Sequence, residues 1–246
     1  MTTAAHEATT AGKGTGTGSD ADGRDARAGS HLERISAAGG VVFVLLLVVD
    51  NLVRAGAPRF GVSGETVTAY VEGHRTAMAV PIVLFPLGLL GLFTFVTGVW
   101  SASRDNPVSR WWAQLGTLAA VTIAALFSVV NLVEAALVAD AHRLAPSPAV
   151  VSALWAVDGA AFGLNLAAIG LALLALSRAA RAGGLGPRWL SVLAVPGAAC
   201  LWAASLFAIA IAEGAAWLFL GLAGFLVWAL FVLMTSLALT RRTVAG

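Results

Sequence analysis

A few acids and amides interrupt otherwise apolar stretches of this chain: Asp50 and Asn51, Asn131 and Glu134, Asp158 and Asn165, and Glu213. No Lys, Arg or His lies away from the ends of those stretches. An acid facing hydrocarbon costs about 2.5–3.5 kcal/mol even on the gentler insertion scales, so each should face a bundle interior or a cavity. Three chemistries are open to them. They can stay protonated, they can hold a cation, or two in unlike environments can work as acid and base. Helical spacing groups them further. Asn131 and Glu134 are i, i+3 neighbours, as are Trp155 and Asp158, and Asp158 and Asn165 are two turns apart on one side.

Loop bases offer another way to neutralise these acids, the candidates being His74, Arg75, Arg54, His142 and Arg143. The cheapest arrangement is Arg54 with Asp50, an i, i+4 pair of purely structural meaning. Structural alternatives stand beside the others too. An intramembrane acid can simply bond between helices, and Asp50 and Glu213 sit near a wet rim. His74 and His142 read as solvated loop residues, and no metal site is expected. Gly159 and Gly163 have the GxxxG spacing for close helix approach, whose ordinary meaning is packing within the monomer. Trp202, Trp217 and Trp228 read as packing or belt residues, not a ligand cage.

The elements that position these residues follow from composition. Of 246 residues, 59% are hydrophobic and 11% charged, with a mean hydropathy of +0.86. Soluble domains carry about 25% charge. A free cytosolic enzyme, a nucleic-acid-binding domain and a disordered chain are thereby excluded. An all-α, multi-pass membrane protein remains, with the lipid bilayer as its first partner. Residues 1 to about 30, rich in Thr, Gly, Ala and Asp, predict a disordered tail. Six apolar spans follow at 35–53, 76–100, 111–139, 149–176, 190–212 and 215–240, each near or above the roughly 20 residues that cross hydrocarbon as helix. Pro81 and Pro86 should bend the second and Pro196-Gly197 the fifth. Residues 65–75 predict a short interfacial helix. Eleven basic residues fall on the side of the termini against four on the other, which puts both termini in the cytoplasm. The loop carrying Arg178, Arg181 and Arg188 determines topology first and offers an anionic-lipid contact second. The lone Cys200 excludes an intramolecular disulfide.

With that topology, a rise of ~1.5 Å per residue puts Glu134 roughly 8 Å, Asn131 about 12 Å and Asp158 roughly 14 Å below the outer rim. Only Asn165 falls in the inner half. The expectation is a polar cavity open to the outer side and floored near Asp158 and Asn165. Its candidate residues are Asp158, Glu134, Asn131, Asn165, Asp50 and Glu213.

Asp158-Gly159 opens a helical stretch continuing through Gly163 and Gly170, followed by a short basic loop ending Leu185-Gly186-Pro187-Arg188-Trp189-Leu190 and an apolar stretch with Pro196-Gly197. This resembles the DUF4386 family of bacterial six-helix membrane proteins, as does the loop ending in an amphipathic stretch with Arg75. The resemblance spans residues 35–240 in layout, its specific part being under forty residues. It implies a six-helix bundle in the bacterial cell (inner) membrane and no assigned reaction. No HExxH, phosphate loop, CxxC or GxSxG is present, so no cofactor is expected. The favoured activity is binding or transport of a small molecule or cation through the acidic cavity, with homo-oligomerisation offsetting the small size. The alternative is a non-catalytic structural or sensor subunit. An intramembrane enzyme acting on a lipid or isoprenoid ranks third.

Overall fold

The computed structural model describes the backbone of residues 18–245 and the side chains of residues 31–241. Among these, every regular element is a helix. In order they are α1 (Gly18–Arg54), α2 (Gly64–Ser101), α3 (Pro107–Leu144), α4 (Pro148–Ala182), α5 (Arg188–Ser205), α6 (Ala208–Ala212) and α7 (Leu218–Ala245). Five stretches are long and apolar enough to cross a membrane: His31–Arg54, Gly64–Ser101, Pro107–Leu144, Pro148–Ala182 and Leu218–Arg241. Helix is the form that satisfies every backbone N–H and C=O within the segment, as hydrocarbon demands. Of the tail, residues 1–17 lie outside the described residues, and the backbone of 18–30 is part of α1.

Local chemistry sets the helix ends. Asn106 caps α3, its side-chain oxygen accepting from the Val108 and Ser109 amides at 3.0 and 3.1 Å, with Pro107 in the first turn. Gly184, at φ +70°, ends the turn after α4, where the Leu185 amide donates to the Ala180 carbonyl at 2.7 Å. The irregular residue of α2 is His74 (φ −126°, ψ 22°), which separates the polar residues 64–73 from the span proper. Asp140 does the same near the end of α3.

The stretch expected as a fifth span, 190–212, is interrupted. It forms α5 and α6, with Phe207 (φ −103°, ψ 24°) between them. The Phe207 amide donates to Ala204 at 3.0 Å, an i−3 bond that tightens the turn, and α6 starts afresh behind it. Pro196 lies within α5, well before the break.

At the centre stands α4, with 67% of its apolar window buried against 28–39% in the other four spans. It touches α2, α3, α5, α6 and α7, while α1 packs on α2 and α7. Small residues bring these helices close, as expected where lipid supplies no hydrophobic drive between them. A Cβ on Gly163 would meet Ala208 of α6 at 2.8 Å, and one on Gly159 would meet the Phe60 ring at 2.8 Å and Ala212 at 3.1 Å. The GxxxG pair is thus spent inside the monomer. Cross-helix hydrogen bonds add register: Ser109 Oγ donates to the Ala179 carbonyl at 2.7 Å, and Trp202 Nε1 to the Ala167 carbonyl at 3.0 Å.

Gly163→Val is expected to lower the apparent Tm in detergent by several degrees by wedging α6 off α4. Gly73→Ala, where a Cβ meets nothing within 4 Å, should leave it unchanged or slightly higher. Thermal unfolding followed by circular dichroism compares the two.

Candidate functional site

At the Arg54 end of the bundle, three connections fold onto one another. Gly61 (φ +80°) lies on the Glu213 carbonyl, and Gly214 (φ +92°) lies on the Phe60 carbonyl. A side chain at either would collide with that backbone and strain its own. Gly64 meets Pro148 in the same way. The loop between α1 and α2 is thereby clamped against the α3–α4 and α6–α7 turns. Its Phe60 ring hangs inward, 5.3 Å from Trp155 and 6.4 Å from Phe162, and the Arg59 carbonyl accepts from Trp155 Nε1 at 3.2 Å.

Beneath this roof is a cavity of about 380 Å³. Its polar wall carries Asp50, Arg54, Glu134 and Asp158, with Arg59 and Tyr70 near the rim. Its apolar wall and floor include Phe127, Phe162, Leu166, Ile211 and Phe225. From Trp155 to Leu166, which both line it, α4 rises roughly 16 Å. The exposed Asn51 of α1 and Phe219 of α7 also line it, so it reaches the protein surface.

Arg54 organises the polar wall. Its Nε donates to Asp50 Oδ1 at 2.8 Å within α1, and its NH1 reaches across to Glu134 Oε1 on α3. Glu134 is buried, and Asp50 and Arg54 are about three-quarters so. One guanidinium therefore serves two carboxylates through different N–H groups, the fork geometry that suits Arg to partly buried pairs. Asp158 is left over. It is 1% exposed, stands in electrostatic range of Glu134, Arg54 and Asp50, and makes no hydrogen bond among the described residues. Three acids thus share a wall with the partly buried Arg54, while Arg59 stands exposed at the rim.

Of the six expected residues, Asp158, Glu134 and Asp50 meet in this cavity. Asn131 does not line it. Its amide donates to the Phe127 carbonyl at 2.9 Å, its buried Oδ1 has no hydrogen-bond partner among the described residues, and the residue lines a smaller cavity that Asp50 also lines. Asn165 shares Asp158's face of α4 but lines neither cavity, so the expected floor at Asn165 is corrected. Phe162, one turn beyond Asp158, meets Phe127 ring to edge at 6.4 Å, and both line the cavity, whose wall passes on to Leu166 beside Asn165. Glu213 is also corrected. Its side chain is exposed on the turn after α6, and only its backbone touches the roof. Of the loop bases, Arg54 alone reaches in. His74, Arg75, His142 and Arg143 are exposed; His74 stacks on Tyr70, and Arg143 pairs with Asp140 at 3.5 Å.

Phe60 and Arg59 carried no sequence signal, because an aromatic in a polar loop looks like any rim residue. Trp155 carried one, its i, i+3 spacing to Asp158. Among the described residues, no group of three or more His, Cys, Asp or Glu is placed to hold a metal ion. Compared with family models, curated proteins and solved structures, the chain finds no match in any of the three.

Removing one partner of a buried ion pair strands the other charge, at roughly 3–5 kcal/mol. Arg54→Gln should therefore destabilise the protein by about 3 kcal/mol. Adding Glu134→Gln to it should recover part of that loss. Thermal melts of the two variants and wild type measure both effects.

Proposed function

We propose that this protein is a six-span protein of the bacterial cell membrane, with both termini cytoplasmic, that binds a small molecule or cation in the cavity beneath the Arg54 roof and moves it. The observation that carries this reading is Asp158: a fully buried carboxyl, without a hydrogen-bonding partner among the described residues, on the wall of a cavity large enough for a ligand. Each unsatisfied buried polar group calls for an explanation, and a missing ligand is the simplest one for a group lining an open space. A purely structural acid would be spent on a neighbour, as Asp50 and Glu134 are on Arg54.

Topology supports the same reading. Together α5 and α6 run from Arg188 to Ala212, which at ~1.5 Å per residue reaches roughly 37 Å, enough for a sixth crossing despite the break. Broken helices are tolerated at membrane depth where the freed backbone is buried in protein, and α6 is seated on α4. The eleven-to-four asymmetry of basic residues then puts the cavity on the outer side. The likeness of residues 185–190 to the loop of the DUF4386 proteins agrees with six helices and leaves the cargo to be identified.

The binding test is native mass spectrometry of wild type, Asp158→Asn and Glu134→Gln in mild detergent. A small molecule or ion retained by wild type and lost by Asp158→Asn is expected, with affinity down about tenfold or more, the worth of one charge-assisted hydrogen bond. Equal spectra and equal binding in all three would overturn the reading in favour of a non-catalytic subunit. Topology is checked in a Cys200→Ala background. Glu65→Cys should react with an impermeant maleimide added to intact cells, and labelling only after lysis would reverse the orientation.

A further inference from the structure

The smaller cavity, about 70 Å³, lies between α1, α2 and α3. Asp50, Pro81 and Phe127 line both spaces, so it adjoins the larger one. Its other walls are apolar: Leu46 and Val49 on α1, Leu84, Phe85 and Gly88 on α2, Ile123 on α3. Val49 is 38% exposed, which brings the slot to the lipid-facing surface. Along α1, from Asp50 to Phe43, it extends about 10 Å.

Gly88 singles the slot out. Three residues further along α2, Gly91 is required: a Cβ there would meet the Gly39 carbonyl at 2.7 Å. At Gly88 a Cβ meets nothing within 4 Å, so packing does not explain the glycine. An apolar space that protein could fill and does not is available to something else.

With Asp158 ionised, the two polar atoms left over at its head are acceptors. Among the described residues, Asp158 Oδ1 is buried without a hydrogen-bond partner on the wall of the larger space, and so is the Oδ1 of Asn131, a residue that lines the slot. Arg54 is engaged by Asp50 and Glu134. A head group that only donates and carries positive charge completes this set. An ammonium has three donors and no acceptor. A carboxylate or phosphate head would add charge of the wrong sign.

We propose that the two spaces together hold one alkylammonium amphipath, its ammonium on Asp158 and its chain in the slot between α1 and α2. This rests on the ligand-binding reading of the cavity and adds the ligand's class and orientation. The same chemistry is supplied by an aminolipid of the bilayer or by a free long-chain amine.

The test uses the full chain in phosphatidylcholine nanodiscs, photolysed with dodecylamine carrying a diazirine at its chain end, with adducts mapped by mass spectrometry. Adducts should concentrate on residues 46–49 and 84–89. Unlabelled dodecylamine should displace them and dodecanoate should not. Asp158→Asn should reduce them at least tenfold. Gly88→Leu, whose Cβ meets nothing within 4 Å, should clear the slot of adducts while butylamine binding persists. Nanodiscs containing phosphatidylethanolamine separate the sources: displacement assigns the bilayer aminolipid, and undiminished slot adducts assign a free amine. Adducts scattered over the lipid-facing helices, indifferent to competitor, would overturn the proposal. If Asp158→Asn still abolishes butylamine binding in that case, the cavity reading survives and only the slot fails. If Asp158→Asn changes nothing, both fall.

Discussion

Three carboxylates share one apolar bundle, and the position of a single guanidinium decides how each is held. Burying an ion away from water costs several kcal/mol unless geometry and hydrogen bonds compensate. Arg54 compensates two of them by standing at the last residue of α1, where its side chain can turn back to Asp50 one helical turn earlier and outward to Glu134 on α3. That bridge also ties α1, which otherwise packs on α2 and α7, to the helix that flanks α4. The roof depends on the same point. The loop that clamps onto the other two turns begins at Arg54, so the guanidinium fixes where the roof starts. Gly61 and Gly214 fix where it lands.

Much of this was legible because membrane physics leaves few choices. Continuous apolar runs without alternation could only be helices, and the acids within them could only face inward. Asp50 with Arg54 followed from i, i+4 spacing, and the gathering of Asp50, Glu134 and Asp158 from depth and face. What escaped was tertiary. Periodicity put Asn165 on Asp158's face, but periodicity does not say which side chains of that face a cavity reaches: its wall passes to Leu166 and leaves Asn165 out. The interruption at Phe207 left no mark in a stretch that reads as apolar throughout, since no Pro or Gly sits there and the break is a single tightened turn. Glu213 was misplaced for the same reason: a turn that leaves its side chain outside is set by the helix that ends before it.

The two halves of the cavity wall answer different physical demands. The wall nearest the roof is charged and partly exposed, and there Asp50 and Glu134 are matched with Arg54. The floor is aromatic and aliphatic, from Phe162 down to Leu166 and Phe225. Asp158 stands at the boundary, buried as deeply as the floor yet bearing the chemistry of the rim. If Arg54 served all three acids, the wall would be a closed network, and such a network rigidifies a structure without needing a ligand. Its reach stops at two. The third acid is held by α4, the helix with the most neighbours and the least freedom to swing it elsewhere, so its unmet demand is directed into the cavity. An occupant that meets it must be polar at one end and tolerate an apolar floor at the other, because the boundary at Asp158 leaves no position in the cavity that is polar on every side.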